Sequence, residues 1–133
     1  HAKRFFNLLK GGEVEIAAAF PAGVVGKSAG NLKAAADGGR HEHSMLYPEA
    51  AKVAEGEGFP EIAAQFRNIA VAEIEHERRY RALLDLLEKG RMFRRDKPVR
   101  WRCLNCGFVH EGTDAPTACP ACAHPQAYFE AIS

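Results

Sequence analysis

The stretch "IAVAEIEHERRY", residues 69–80, decides how the chain reads. It lies within an apolar series, Ile62, Phe66, Ile69, Tyr80, Leu83 and Leu87, that recurs at steps of three and four. That spacing marks one helix face turned toward a core. The two positions that complete the series are Glu73 and His76. A buried carboxylate costs several kcal/mol unless it is paired or bound to a metal. A Glu-x-x-His pair at i, i+3 is the ligand spacing of carboxylate-bridged di-metal helix bundles. A Glu–His hydrogen bond at a bundle seam is the plainer alternative.

Working outward, this helix is expected to start at Pro60, a favoured first-turn residue, and to run to Lys89, with Gly90 closing it. A preceding helix is expected from Ser28, a good N-cap, to about Glu55, ended by Gly56 and Gly58. Pro48 inside it predicts a kink near Ser44 to Tyr47. Its stripe is Leu32, Ala35, Gly39, Glu42, Leu46 and Val53, with Glu42 the ionisable member. Residues 1–10 read as a helix tail in which His1, Phe5 and Leu8 share a face and Gly11-Gly12 stops the helix. Residues 13–27 form a connection rich in Ala, Gly and Val, too apolar for a solvated loop and expected to lie across the bundle. "HAKRFFNLL" has neither an initiator Met nor an N-cap, so the chain reads as one that begins inside a helix. Two long helices and a stub close a core poorly, whereas a four-helix bundle closes one well. The remaining mass is expected before His1 or from another chain.

The chain has 133 residues, 47% hydrophobic and 26% charged, with a formal charge of +1. That composition suits a globular fold. The balanced charge gives no reason to expect nucleic acid or an anionic membrane as partner. No apolar run approaches the roughly 20 residues that span a bilayer, and the start does not resemble a signal peptide. All four cysteines fall in a segment that loses helical periodicity and gains Gly and Pro. Residues 1–90 are therefore expected to be a partial bundle, the basic stretch 91–100 a linker, and 101–133 a separate module.

In that module "WRCLNCGFVHEG" and "CPACAHP" set two CxxC knuckles, Cys103/Cys106 and Cys119/Cys122. Paired knuckles without a secretion signal favour a tetrahedral iron or zinc site over two disulfides. Spacing alone does not separate the two metals. Trp101 and Phe108 are expected to form the module's small core. His110, His124, Arg94, Arg95, Arg100 and Arg102 are expected at its surface, the arginines solvated or docking an acidic redox partner.

Taken together these motifs resemble the rubrerythrin family nearly end to end. "CGFVHEG" and "CPACAHP" are similar to its rubredoxin-type module, "IAVAEIEHERR" to its last bundle helix, "MLYPEAAKVAEGEGFPEIA" to the preceding hairpin, and "HAKRFF" to its second helix, entered at a metal-binding histidine. The resemblance implies a mainly α fold: a ferritin-like four-helix bundle, incomplete here, followed by a small rubredoxin-like Fe(Cys)4 domain. It also implies a cytoplasmic peroxidase of oxidative-stress defence. Electrons from a rubredoxin or an NAD(P)H-dependent reductase enter through Fe(Cys)4 (Cys103, Cys106, Cys119, Cys122). They reach a non-haem di-iron site and reduce hydrogen peroxide to water. Residue by residue, Glu73 matches a bridging carboxylate, His76 a terminal ligand, Glu42 the carboxylate that binds iron in the oxidised state, and His1 the imidazole that replaces it on reduction. Tyr47 matches a tyrosine near the cluster. A homodimer or higher assembly, in which one chain's cysteine module faces the other's di-iron site, is implied as well. Zinc could substitute for iron.

One departure stands out. The family has a glutamate three residues before the position of Glu42, where this chain has Gly39, in "DGGRHEH". Arg40, His41 and His43 are neighbours, but on a straight helix each points about 100° or more away. The bridging glutamate before His1 and the first helix's glutamate lie outside these 133 residues. The chain thus holds four di-iron ligands where the family uses seven. The competing readings are an electron-transfer or iron-binding protein without turnover and, more weakly, a zinc-ribbon scaffold.

Overall fold

The computed structural model describes residues 1–132, which form two compact units, 1–80 and 81–132. In the first, α1 (Ala2–Phe6) is followed by an irregular, exposed stretch. Then come α2 (Ser28–His41), a π-helical turn (Glu42–Leu46), α3 (Tyr47–Gly56) and α4 (Pro60–Glu88), whose last turns group with the second unit. Lys27, not Ser28, is the N-cap of α2. The Asn31 side chain holds the entry instead, accepting from the Gly26 N–H at 2.9 Å and donating to the Gly26 carbonyl at 3.0 Å. Both α3 and α4 end in Schellman bonds: Phe59 N–H to Ala54 O and Gly58 N–H to Glu55 O, then Arg91 N–H to Leu86 O and Gly90 N–H to Leu87 O.

Ala51 and Ala54 of α3 meet Ala63 of α4, with Ile62 and Phe66 packed around them. Gly39, further back along α2, lies against the α4 backbone at Glu73 and Glu77. The two helical arms are therefore antiparallel. Alanine and glycine at the seam bring the backbones close.

The π turn changes which residues face that seam. Leu46 and Val53, expected on the stripe, are 47% and 59% exposed, while Ala51 and Ala54 are buried and Tyr47 is half-buried. A π turn accommodates one extra residue. Every inward position after Glu42 accordingly slips by one, from 46 to 47 and from 53 to 54. Pro48 is the local cause: it has no N–H to donate to the carbonyl one α-turn back, which favours the wider turn. The expected packing of residues 13–27 across the bundle is also not observed. Ile16, Phe20, Val24 and Val25 are 65–95% exposed, and nothing within this chain covers them. Among the described residues no helix is long and apolar enough to cross a membrane.

The second unit contains a three-stranded antiparallel sheet in the order β2-β1-β3, with β1 Arg94–Cys103, β2 Val109–Asp114 and β3 Phe129–Ile132. Most of the stretch expected to be a linker, 91–100, is thus strand. Its outward Arg and Lys residues hid the alternation that β1 shows in its burial, ending on buried Trp101 and Cys103. A break in register with β2 between Arg94 and Val99 spans Pro98, which cannot donate to the ladder. Trp101, fully buried, donates from Nε1 to the Gly112 carbonyl at 3.0 Å. Around it pack Cys103, Ala115, Cys119 and Phe129, with Phe93, Val99 and Phe108 at the margin. Trp101 and Phe108 are in this core as expected; Phe129 is the large member that sequence pattern missed.

Candidate metal centres

The two knuckles are built alike. In the first, Gly107 N–H donates to Cys103 O and Cys103 N–H to Phe108 O; in the second, Ala123 N–H donates to Cys119 O and Cys119 N–H to His124 O, all at 2.8 Å. Gly107 and Ala123 both take positive φ, +81° and +59°. The knuckles face each other, so that Cys103 Sγ lies 3.7 Å from Cys122 Sγ and Cys106 Sγ 3.7 Å from Cys119 Sγ. All four cysteines are free thiols, and their sulfurs lie within 4.8 Å of one another. A tetrahedron with metal–sulfur bonds of about 2.3 Å has edges of about 3.8 Å. The thiols therefore already stand at the spacing a single tetrahedral ion requires.

Their electrostatics show the same crowding. The His124 amide, donating to Cys122, brings that thiol down to about 6, against burial and with help from Cys106, Cys119 and Asn105. The Phe108 amide acts the same way on Cys106. There it is outweighed by hydrogen bonding to Cys122, burial, and the Cys119 and Cys103 thiols, so Cys106 is pushed up to about 12. The Cys122 thiolate forms readily, while Cys106 resists ionisation until a cation compensates it. His124 packs edge-on against Tyr128 and its Nδ1 donates to Cys122 O at 3.1 Å. Arg94 pairs with Asp114, Arg102 with Glu130, and Arg95 lies over the Trp101 ring.

In the helical unit the opening question has a geometric answer. Glu73 is 5% exposed, and each of its oxygens faces a different imidazole. His1 Nδ1 lies 3.1 Å from Oε1 and His76 Nδ1 2.6 Å from Oε2, with the two rings stacked 6.2 Å apart. Glu42 comes from the π turn to hydrogen-bond Glu73. Burial, together with the Glu73 charge and that hydrogen bond, raises its carboxyl above the usual range. Tyr47 packs near Phe5 and Phe66, and burial, Glu42 and Glu73 all raise its hydroxyl. The sequence-predicted residues His1, Glu42, Glu73, His76 and Tyr47 are therefore brought together. His43, which a straight helix would aim elsewhere, reaches α4 from the π turn: its Nε2 lies 2.6 Å from Glu77 Oε2. Sequence reasoning missed this pair; Pro48 was the signal that the helix is not straight there.

Comparison with known families shows which family this is. The family described as "Rubrerythrin" matches residues 1–84, and "Rubrerythrin, rubredoxin-like domain" matches residues 101–130. The chain belongs to the rubrerythrin family. It is 58% identical over 130 residues to the rubrerythrin of Porphyromonas gingivalis, covering 98% of this chain and 65% of that protein. Against the rubrerythrin of Nitratidesulfovibrio vulgaris it is 52% identical over 132 residues, covering 99% and 69%. The chain thus spans about two thirds of the length of these relatives. A solved structure of nigerythrin in its fully reduced, all-ferrous state superposes with a TM-score of 0.51 at 27% identity, over 98% of this chain and 60% of that one.

The rubrerythrin pairing is of a ferritin-like di-iron domain with a rubredoxin-like Fe(Cys)4 domain, and the donor sets here fit it unequally. The four thiols match a tetrahedral ion in chemistry and spacing. In the helical unit, a carboxylate with one imidazole at each oxygen suits a bridge between two ions rather than a single compact site. Among the described residues only the cysteines bring three or more donors within 4.8 Å of one another. Gly39, however, contributes no donor. A Cβ there would sit 3.4 Å from Glu77 N and 3.5 Å from Glu73 O, so the position is filled by close helix approach.

Proposed function

We propose that this chain is the larger part of a rubrerythrin-type peroxidase, a cytoplasmic oxidoreductase of oxidative-stress defence that reduces hydrogen peroxide to water. The observation that carries the reading is the buried Glu73 carboxylate held between His1 and His76 with Glu42 against it. When bound, the di-iron group supplies two electrons to H2O2, which with two protons gives two waters. The chain's residues prepare that site. Glu73 would hold the group with its two oxygens, His1 and His76 would supply nitrogen donors, and Glu42 would supply a second carboxylate beside Glu73. Tyr47 closes the inner wall beside Phe66. Cys103, Cys106, Cys119 and Cys122 would hold the iron that accepts electrons from a rubredoxin or an NAD(P)H-dependent reductase. A homodimer that sets one chain's cysteine module against the other's helical site would bring the two centres together, and the exposed Ile16, Phe20, Val24 and Val25 supply apolar surface for such assembly.

The test is Glu73→Ala in the complete protein. Peroxide turnover should be lost while the red thiolate-to-iron absorption of the cysteine centre stays. Retained turnover would end the reading. Mixing subunits that lack the cysteine module with Glu73→Ala subunits should restore activity if electrons cross between chains.

Gly39 favours a second reading, an electron-transfer or iron-binding protein without turnover. Iron-loaded wild-type protein whose cysteine centre cycles normally but which leaves peroxide unconsumed would select it.

A further inference from the structure

His43 follows Gly39 by one turn, and Glu77 is the α4 residue whose backbone lies against Gly39. The π turn is what brings them together. Glu42 and His43 are consecutive, yet both reach α4: Glu42 to Glu73, and His43 to Glu77, one helical turn further on. The His43 and Glu77 side chains are only 20% and 17% exposed, and their 2.6 Å contact is among the shortest in the unit. A carboxylate only accepts, so Nε2 carries the proton. At Gly39, by contrast, α2 meets α4 with bare backbone and no side chain to fix the lateral position of the two helices.

We infer that His43 and Glu77 are a positioning pair for the helical metal centre, pinning the π turn to α4 so that Glu42 stands against Glu73. The inference rests on the metal reading of that cluster. Neither residue is among the donors assigned to the metal. Each is covalently next to a ligand, His43 to Glu42 and Glu77 to His76, so the hydrogen bond between them fixes the separation of two donors on different helices. Outer hydrogen bonds of this kind typically change metal affinity by about 10- to 100-fold when removed. Loss of the pair leaves the Gly39 contact, which can slide.

The experiment uses the full protein with its cysteine site loaded with zinc, so that added cobalt(II) reports the helical site alone through its d–d absorption. Glu77→Ala and His43→Ala should each weaken cobalt binding by about 10- to 100-fold and shift the ligand-field bands. Glu77→Gln, whose carbonyl oxygen can accept from Nε2–H, should stay within about threefold of wild type. Glu55→Ala removes the exposed Arg67–Glu55 pair between the same two helices and should leave both cobalt readouts unchanged. Circular dichroism and melting identify any variant that fails to fold, and Glu77→Gln against wild type then carries the comparison. Wild-type affinity and spectrum in both alanine variants would overturn the inference, as would equal weakening by Glu55→Ala. Wild type that takes up no cobalt would instead overturn the metal reading itself, and this inference with it.

Discussion

The two cysteine knuckles differ at one backbone position, and that difference makes a quantitative test. Gly107 and Ala123 occupy equivalent places, both at positive φ, both donating an N–H at 2.8 Å to the first cysteine of their knuckle. A left-handed conformation costs a residue with a Cβ about 1–2 kcal/mol. Glycine avoids that cost but gives up about 0.5–1 kcal/mol through its freer unfolded chain. Ala123→Gly should therefore stabilise the C-terminal unit by about 0.5–1 kcal/mol, and Gly107→Ala should destabilise it by a similar amount. No steric term confuses the second variant, because a Cβ at Gly107 would meet nothing within 4 Å. The assay is urea unfolding of zinc-loaded protein at buffered free zinc, followed through Trp101, the single tryptophan and fully buried. For so small a unit each kcal/mol corresponds to roughly 4–8 °C in Tm. Shifts of the same sign in the two variants, or a neutral Ala123→Gly, would refute the claim that backbone conformation alone separates the knuckles.

Removing the metal with a strong chelator under reducing conditions should expose Trp101, since two of the four buried residues packed around it, Cys103 and Cys119, belong to the cysteine site; a red shift in its emission reads this, and an unmoved spectrum contradicts it. In the metal-free protein the raised pKa of Glu42 has a definite sign: the folded state binds the proton more tightly, so this stabilisation is present at acidic pH and lost as pH rises through the folded pKa. Glu42→Gln should flatten that part of the stability–pH curve in denaturant titrations. Gly39→Ala should be tolerated or stabilising by up to about 1 kcal/mol, because its Cβ meets α4 at ordinary contact distance and alanine favours helix; a bulkier residue there should push the helices apart and lower the urea midpoint.

How much of this was legible depends on whether the cause was local. Glu73 and His76 were readable because period and chemistry disagreed on one stripe, and the cysteines because four thiols at knuckle spacing have few other uses. Strand β1 was not, because Arg94, Lys97, Arg100 and Arg102 are exposed and, with Arg95, read as a solvated basic run. The connection 13–27 was expected to lie across the bundle on composition alone, yet apolar composition does not say whether the same chain covers a segment, and here it does not. His43–Glu77 escaped because its geometry depends on a helix that departs from 3.6 residues per turn.

The π turn makes the helical site sensitive to length more than to composition. Ser44, Met45 and Leu46 are exposed, so exchanging any of them for another helix former should matter little. Deleting one of them is another matter. The turn would revert to an ordinary α-helical one, and everything downstream would rotate by about 100° relative to everything upstream. Tyr47, Ala51 and Ala54 would leave the seam while Glu42 stayed. The extra residue works as a phase shifter, keeping two stretches of one helix aimed at the same neighbour. When related sequences are aligned here, a single-residue gap should be read as the loss of that phase, whatever the surrounding identity.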